Sequence, residues 1–357
     1  MKRLLIILAA LAAAFACSAP AHKVPMSVAH RGAHVDSLIP ENSPAAVAMA
    51  ARMGYTAIEC DVHYTRDSVL VIMHDKSINR TMRNKDGYTK IEEPVRYPEH
   101  DFQELRDNYV LASTDPEFRK PIPSFEEHLA ACKEYGIIPM LHTNETKAYE
   151  MAKEVLGDGF IAFDEDYEAL KYARSISDCL ILWDPGRRPA DEVIAKLDSL
   201  GGRCGVSSMK ADLLTKEFIG AITAAGYEVQ SSIFPTPKEL QCIADGATIF
   251  LSDFGLFPQG KTPVRKNTRK NISLADGESV ELSGFADCLE FGCVDLALSF
   301  KGAVELTVCG ERVYPLQGEG ETFRLGGWRF HNAAPSLVVK AMGDAEIVRS
   351  DAVIYSF

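Results

Sequence analysis

Ser27-Val28-Ala29-His30-Arg31-Gly32, then Ser43-Pro44 with an alanine-rich run to Met53 and Gly54, then Thr56-Ala57-Ile58-Glu59-Cys60-Asp61-Val62-His63-Tyr64: this succession reads strand, helix, strand. Both outer runs are apolar with β-branched members and end in polar residues, the pattern of buried strands running into loops. Between them Ser43 can cap a helix, Pro44 suits its first turn and Gly54 stops it. Alternation along the second strand sends Glu59, Asp61 and His63 to one face and Cys60 and Val62 to the other. Strands of a βαβ unit are covered on both sides, so three polar groups on one such face are not a solvated surface. His30, Arg31 and His74-Asp75 fall in the same region. Together these residues offer acid and base groups, a cation for anionic oxygens and oxygen ligands for a divalent ion, a set suited to metal-assisted attack on a phosphate ester.

The motifs His30-Arg31-Gly32, Pro40-Glu41-Asn42, Glu59-x-Asp61-x-His63, Thr65-Arg66-Asp67, His74-Asp75 and Arg80-Thr81 follow one another in an order that resembles the glycerophosphodiester phosphodiesterase family. Ile122-Pro123-Ser124-Phe125-Glu126-Glu127 resembles that family's lead-in to its next helix, and Ser124 with Glu127 forms a capping box there. The resemblance implies a TIM barrel with its chemistry at the C-terminal ends of the strands. It also implies metal-dependent hydrolysis of a small-molecule glycerophosphodiester to glycerol phosphate and an alcohol. On that basis His30 and His74 are the expected acid and base, and Arg31 the phosphate holder. Glu59, Asp61, His142 and Glu41 are the expected metal ligands. The family usually carries Glu-x-Lys on its third strand, with Ca²⁺ or Mg²⁺ as the ion, whereas alignment from Pro123 puts His142 and Asn144 at those places. Imidazole in place of a carboxylate removes a charge and a hard oxygen donor, which favours Mn²⁺ or Zn²⁺. A shifted alignment would use Glu145 and Lys147 instead. Two other functions stand beside hydrolysis: a lyase in which a substrate hydroxyl attacks to give a cyclic phosphate, and a catalytically impaired envelope binding protein on the same barrel.

The rest of the chain supports the barrel independently. Strand-like runs recur at Ile137–Leu141, Phe160–Phe163, Cys179–Trp183, Arg203–Ser207, Tyr227–Ser232 and Ala247–Leu251, with helical stretches such as Ala190–Leu200 and Ala211–Ala225 between them. With the first two strands this makes eight βα-type units, as a closed (β/α)₈ barrel needs. Asp164, Asp184, Ser207, Ser208, Lys210 and Asp253 stand where these strands end. At 357 residues the chain exceeds one barrel, which takes about 250. The expected division is a signal and tether start at 1–20, the barrel at 26–258, a basic linker at 259–271 and a small antiparallel β-sandwich at 272–357. Lys261, Arg265, Lys266, Arg269 and Lys270 mark the linker as a solvated loop, contact with anionic lipid headgroups being a second reading. Short alternating runs punctuated by Gly and Asn mark the sandwich, whose expected ligand is a glycan or another surface partner.

A net charge of −12 excludes a general nucleic-acid binder, which needs a basic surface. Lys2-Arg3 and the apolar run Leu4–Ala16 read as an export signal too short to span a membrane. Ala14-Phe15-Ala16-Cys17 resembles a bacterial lipoprotein signal, which makes Cys17 the expected lipidation site. The expected location is the cell envelope, either periplasmic or anchored to the membrane by lipid. The remaining eight cysteines show neither a disulfide framework nor zinc-site spacing.

Overall fold

Met26–Ala29 (β1) and Ala57–Tyr64 (β2) are parallel neighbours joined through helix α1, Pro44–Met53. The local chemistry is as the sequence dictates: Ser43 Oγ accepts from the Ala46 amide at 3.1 Å, and Gly54 ends the helix in the left-handed region at φ 88°. Gly32 allows a close approach to α1, since a Cβ there would lie 2.6 Å from that of Ala46. This computed structural model describes residues 25–357 apart from 36, 209, 232–240, 244, 254, 256–257, 259 and 311. The expected export signal and Cys17 lie outside the described residues, as does Ser232.

After β2 the chain pairs back antiparallel through β3 (Leu70–Ile72). It then makes an excursion containing β4 (Met82–Asn84), α2 (Phe102–Asn108) and β5 (Tyr109–Leu111). Val71, Met73, Ile78, Met82, Tyr97, Leu105, Leu111 and Ile122 give this excursion a small core of its own. The barrel resumes with α3 (Phe125–Tyr135), β6 (Ile138–His142), α4 (Thr146–Leu156), β7 (Ile161–Asp164), α5 (Tyr167–Ile176) and β8 (Leu180–Trp183). It ends with α6 (Ala190–Leu200), β9 (Cys204–Ser207), α7 (Lys216–Ala224), β10 (Glu228–Gln230) and β11 (Ile249–Ser252). The capping box at the start of α3 is present, with Ser124 and Glu127 bonded reciprocally.

Eight parallel strands close into a barrel in the order β1-β11-β10-β9-β8-β7-β6-β2, and β2 pairs β1 again. Val28, Ala57, Met140, Ile161, Phe163, Leu182, Ile249 and Leu251 fill its interior, as the layered side chains of such barrels do. Cys60, Val62, Leu141, Ala162, Ile181, Val206 and Val229 face outward onto the helices. Each large side chain so buried contributes about 1.5–3 kcal/mol.

The C-terminal strands are β12 (Arg265–Leu274), β13 (Ser279–Glu281), β14 (Leu289–Val308), β15 (Arg312–Arg324), β16 (Trp328–Ala333), β17 (Leu337–Ala341) and β18 (Ala345–Ser356). They are antiparallel as expected and join in one connected sheet, because β14 pairs with β15, β16, β17 and β18 along its length. Two sequence readings are corrected. Val294–Phe300 and Val304–Val308 belong to a single strand carrying a register shift at Ser299–Lys301. Arg265–Asn271, expected as linker, is most of β12, an edge strand paired with β18. Edge strands exposed on both faces carry no apolar alternation, which is why this one read as a loop.

Among the described residues no helix follows β11; the sheet packs there instead. Phe250, on the outer face of β11, shares a core with Leu296, Leu298, Trp328 and Ile354. Phe291 and Cys293 pack among residues of α1 and α3. Gly255 forms a bridge to Trp328 and accepts from Tyr55 Oη at 3.0 Å.

Candidate metal centre and active site

Alternation on β2 delivers Glu59 and Asp61 into the barrel mouth, both almost fully buried. Register places Asp61 beside His142 at the end of β6. His142 Nδ1 lies 3.4 Å from Asp61 Oδ1 and 3.8 Å from Glu59 Oε1, and its Nε2 lies 3.7 Å from Glu165 Oε2. The ring stacks on Phe163 with centroids 4.6 Å apart. Burial opposes the imidazolium, but hydrogen bonds to Asp61 and Glu165 raise His142 to about 10. Burial likewise opposes ionised Asp61, yet the His142 bond and charge hold it below the usual carboxylate range. Glu59 is pushed up by burial and by the charge of Asp61.

Two desolvated carboxylates and one imidazole, with donor atoms within 4.8 Å of one another, are a donor set that fits a divalent cation. Glu59 stays raised because its burial and the Asp61 charge outweigh the nearby His30 and His142. His142, Asp164 and Glu165 form a second group of this kind on the outer side of the imidazole.

Arg31 sits at φ 53°, a conformation side-chain-bearing residues seldom adopt. That turn aims its amide at Glu59 Oε2, 3.0 Å away, and sets its guanidinium between acids: Nη1 is 3.2 Å from Glu41 Oε1 and Nε is 3.6 Å from Asp61 Oδ2. Asn42 Nδ2 also donates to Asp61 Oδ2, at 3.3 Å. Glu41 departs from its expected place among the metal ligands. Its two oxygens take Arg80 at 2.7 and 2.8 Å besides Arg31. This holds its carboxyl low against the opposing effect of burial. Arg80 donates onward to Asp75 at 2.6 Å, and Asp75 pairs with His74 Nδ1 at 2.7 Å. An ionic chain thus runs from Asp61 through Arg31, Glu41, Arg80 and Asp75 to His74.

The structure brings His74, His63, Asp61, His142 and Asn144 to one cavity of about 430 Å³. His30 lies deeper, 3.9 Å from Glu59 through Nε2, with Nδ1 on Asp253 Oδ1 at 2.6 Å. Burial would lower the His30 imidazolium, but the Asp253 bond and the charges of Glu59 and Asp253 raise it. His34 Nε2 stands 3.4 Å from the same Asp253 oxygen. Sequence reasoning noted Asp253 and Asp164 only as polar strand ends and passed over His34 and Glu165. The shifted alignment is not realised: Glu145 precedes α4 and Lys147 pairs with Glu150 on its exposed face. Lys210 is exposed.

Residues 30–179 match the profile of the Glycerophosphoryl diester phosphodiesterase family. The human protein Glycerophosphodiester phosphodiesterase 1 is 31% identical over 116 residues, 31% of this chain and 31% of that protein. A Caldanaerobacter subterraneus Glycerophosphodiester phosphodiesterase is 41% identical over 63 residues, 18% of this chain and 25% of its own length. The chain therefore spans under a third of these relatives. The barrel fold resembles an Oleispira antarctica phosphodiesterase solved in complex with its product sn-glycerol-3-phosphate. The TM-score is 0.53 at 21% identity, covering 66% of this chain and 94% of that one.

Proposed function

We propose, from the premise that this chain belongs to the glycerophosphodiester phosphodiesterase family through residues 30–179, that it hydrolyses glycerophosphodiesters to glycerol phosphate and an alcohol. The carrying observation is the meeting of Glu59, Asp61 and His142 with His30 and Arg31 in one barrel mouth. Glu59, Asp61 and His142 would hold a divalent ion, which polarises a phosphoryl oxygen when bound. The mixed oxygen and nitrogen donor set supports Mn²⁺ or Zn²⁺ over Ca²⁺. Arg31, already turned inward, offers guanidinium N–H groups to the remaining phosphate oxygens. His30 exchanges a proton at Nε2 while Asp253 holds its Nδ1. His74, which lines the cavity beside Asp61 and His142, would serve as the second acid or base. Glu41 and Arg80 act on Arg31 and His74 by position.

The test is glycerol phosphate release from a panel of glycerophosphodiesters by the purified chain with Ca²⁺, Mg²⁺, Mn²⁺, Zn²⁺ or EDTA, beside His30→Ala and Glu59→Ala. Metal-dependent turnover lost in both variants supports the proposal. Wild-type protein that binds a diester yet turns over none with any ion would point to a binding protein on the same barrel.

A further inference from the structure

We propose that the edge strand β12 is a docking surface for an anionic lipid bilayer. Arg265, Lys266, Arg269 and Lys270 crowd the first six residues of this strand, and all four are exposed. β12 ends its sheet, pairing with β18 alone. Among the described residues none of the four forms an ion pair, and only Lys270 is felt by a carboxylate, Asp351, at longer range. The nearby carboxylate on β18 is already used: Asp351 takes Arg349 at 2.6 Å and Thr268 at 2.7 Å. Arg66, Arg80 and Arg106, by contrast, each sit on acids.

The register sends Lys266 and Lys270, opposite Val353 and Arg349, to one face, and Arg265 and Arg269, opposite Ile354 and Ser350, to the other. Cations on the same face are four residues apart, about 14 Å along an antiparallel strand. That is too far to close on one phosphate and suited to an extended sheet of anions. The chain as a whole carries −12, so an anionic surface repels it in other orientations and selects this edge. Arg265 pairs with Ile354, close to Phe357, whose carbonyl accepts from Arg52 at the end of α1. That end of α1 is remote from the barrel mouth, so contact through β12 leaves the mouth open.

Basic residues on an edge also keep sheets from pairing with one another. That role is indifferent to lipid charge, which makes lipid charge the discriminating variable. The full chain is sedimented with vesicles of phosphatidylcholine alone and of phosphatidylcholine mixed with phosphatidylglycerol, the N-terminal apolar run being common to all samples. At about fivefold per cation near the surface, the expected preference for the mixed vesicles is at least tenfold and falls as salt rises. Arg265→Gln, Lys266→Gln, Arg269→Gln and Lys270→Gln combined should abolish it with the circular dichroism spectrum unchanged. Lys266→Gln and Lys270→Gln alone should each reduce it severalfold. Equal binding to both vesicles by the wild type overturns the proposal before any variant is made. So does a preference that survives the four substitutions, or retention on heparin with no vesicle preference.

Discussion

Asp253, at the end of the last barrel strand, accepts from Nδ1 of His30, at the end of the first, at 2.6 Å and across 223 positions of sequence. The bond fixes which His30 nitrogen is free: Nδ1 is engaged and Nε2 faces Glu59 at 3.9 Å. Burial disfavours charge on both partners. Their mutual attraction prevails, so His30 is raised and Asp253 lowered.

Asp253→Asn keeps the shape and removes the charge. We expect kcat to fall about 100-fold with KM moved less than threefold, the loss typical of a disabled acid–base group. The His30 imidazole, followed by NMR against pH, should titrate lower than in the wild type. An unchanged titration and unchanged kcat would mean that Asp253 only ties the strands together.

His142→Glu restores a carboxylate where the family usually has one. Harder oxygen donation should shift the ratio of Ca²⁺ to Zn²⁺ affinity about tenfold toward Ca²⁺, measured by calorimetry on protein stripped of metal. If the ratio stays put, His142 lies outside the coordination sphere.

His128 is fully buried in α3 with neither ring nitrogen partnered among the described residues, and burial lowers it to about 4. Between pH 4 and the unfolded value of about 6.5 the unfolded chain binds the proton and the folded one does not, so stability rises with pH across that window. Acidifying from pH 6.5 to 5 should cost about 2 kcal/mol through this residue. Urea unfolding of wild type and His128→Leu at the two pH values checks this, since the variant should lack that part of the loss.

The chain has two tryptophans, Trp183 in β8 and Trp328 in β16, both buried. Trp328→Ala leaves Trp183 as a reporter of the barrel alone. If the sheet substitutes for a helix over β11, Trp183 should report a transition destabilised by about 3–5 kcal/mol. A Trp183 transition at the wild-type denaturant midpoint would show that the two units unfold independently.

The barrel half was legible because its signals are local. Ser43-Pro44 and Gly54 bracket α1 to the residue, and the alternation of Glu59, Asp61 and His63 needs only one strand to be read. His142 was also legible as a strand end, because β6 runs straight from an apolar stretch into it. What stayed hidden depends on partners distant in sequence. Glu41 looks like a ligand until Arg80, from the excursion after β3, is seen on both its oxygens. Asp253 looks like any polar strand end until barrel closure sets it on His30. β12 failed for another reason: from Arg265 to Asn271 it carries no apolar residue, so it shows no apolar period.

The closing seam between β1 and β11 also sets a time order. A ribosome delivers His30, Glu59, Asp61 and His142 long before residue 253. Until that last strand emerges, β1 lacks one of its two neighbours and His30 lacks its anchor. Residues 30–179, the portion that makes the chain recognisable, are thus complete before the bond that anchors His30 can form.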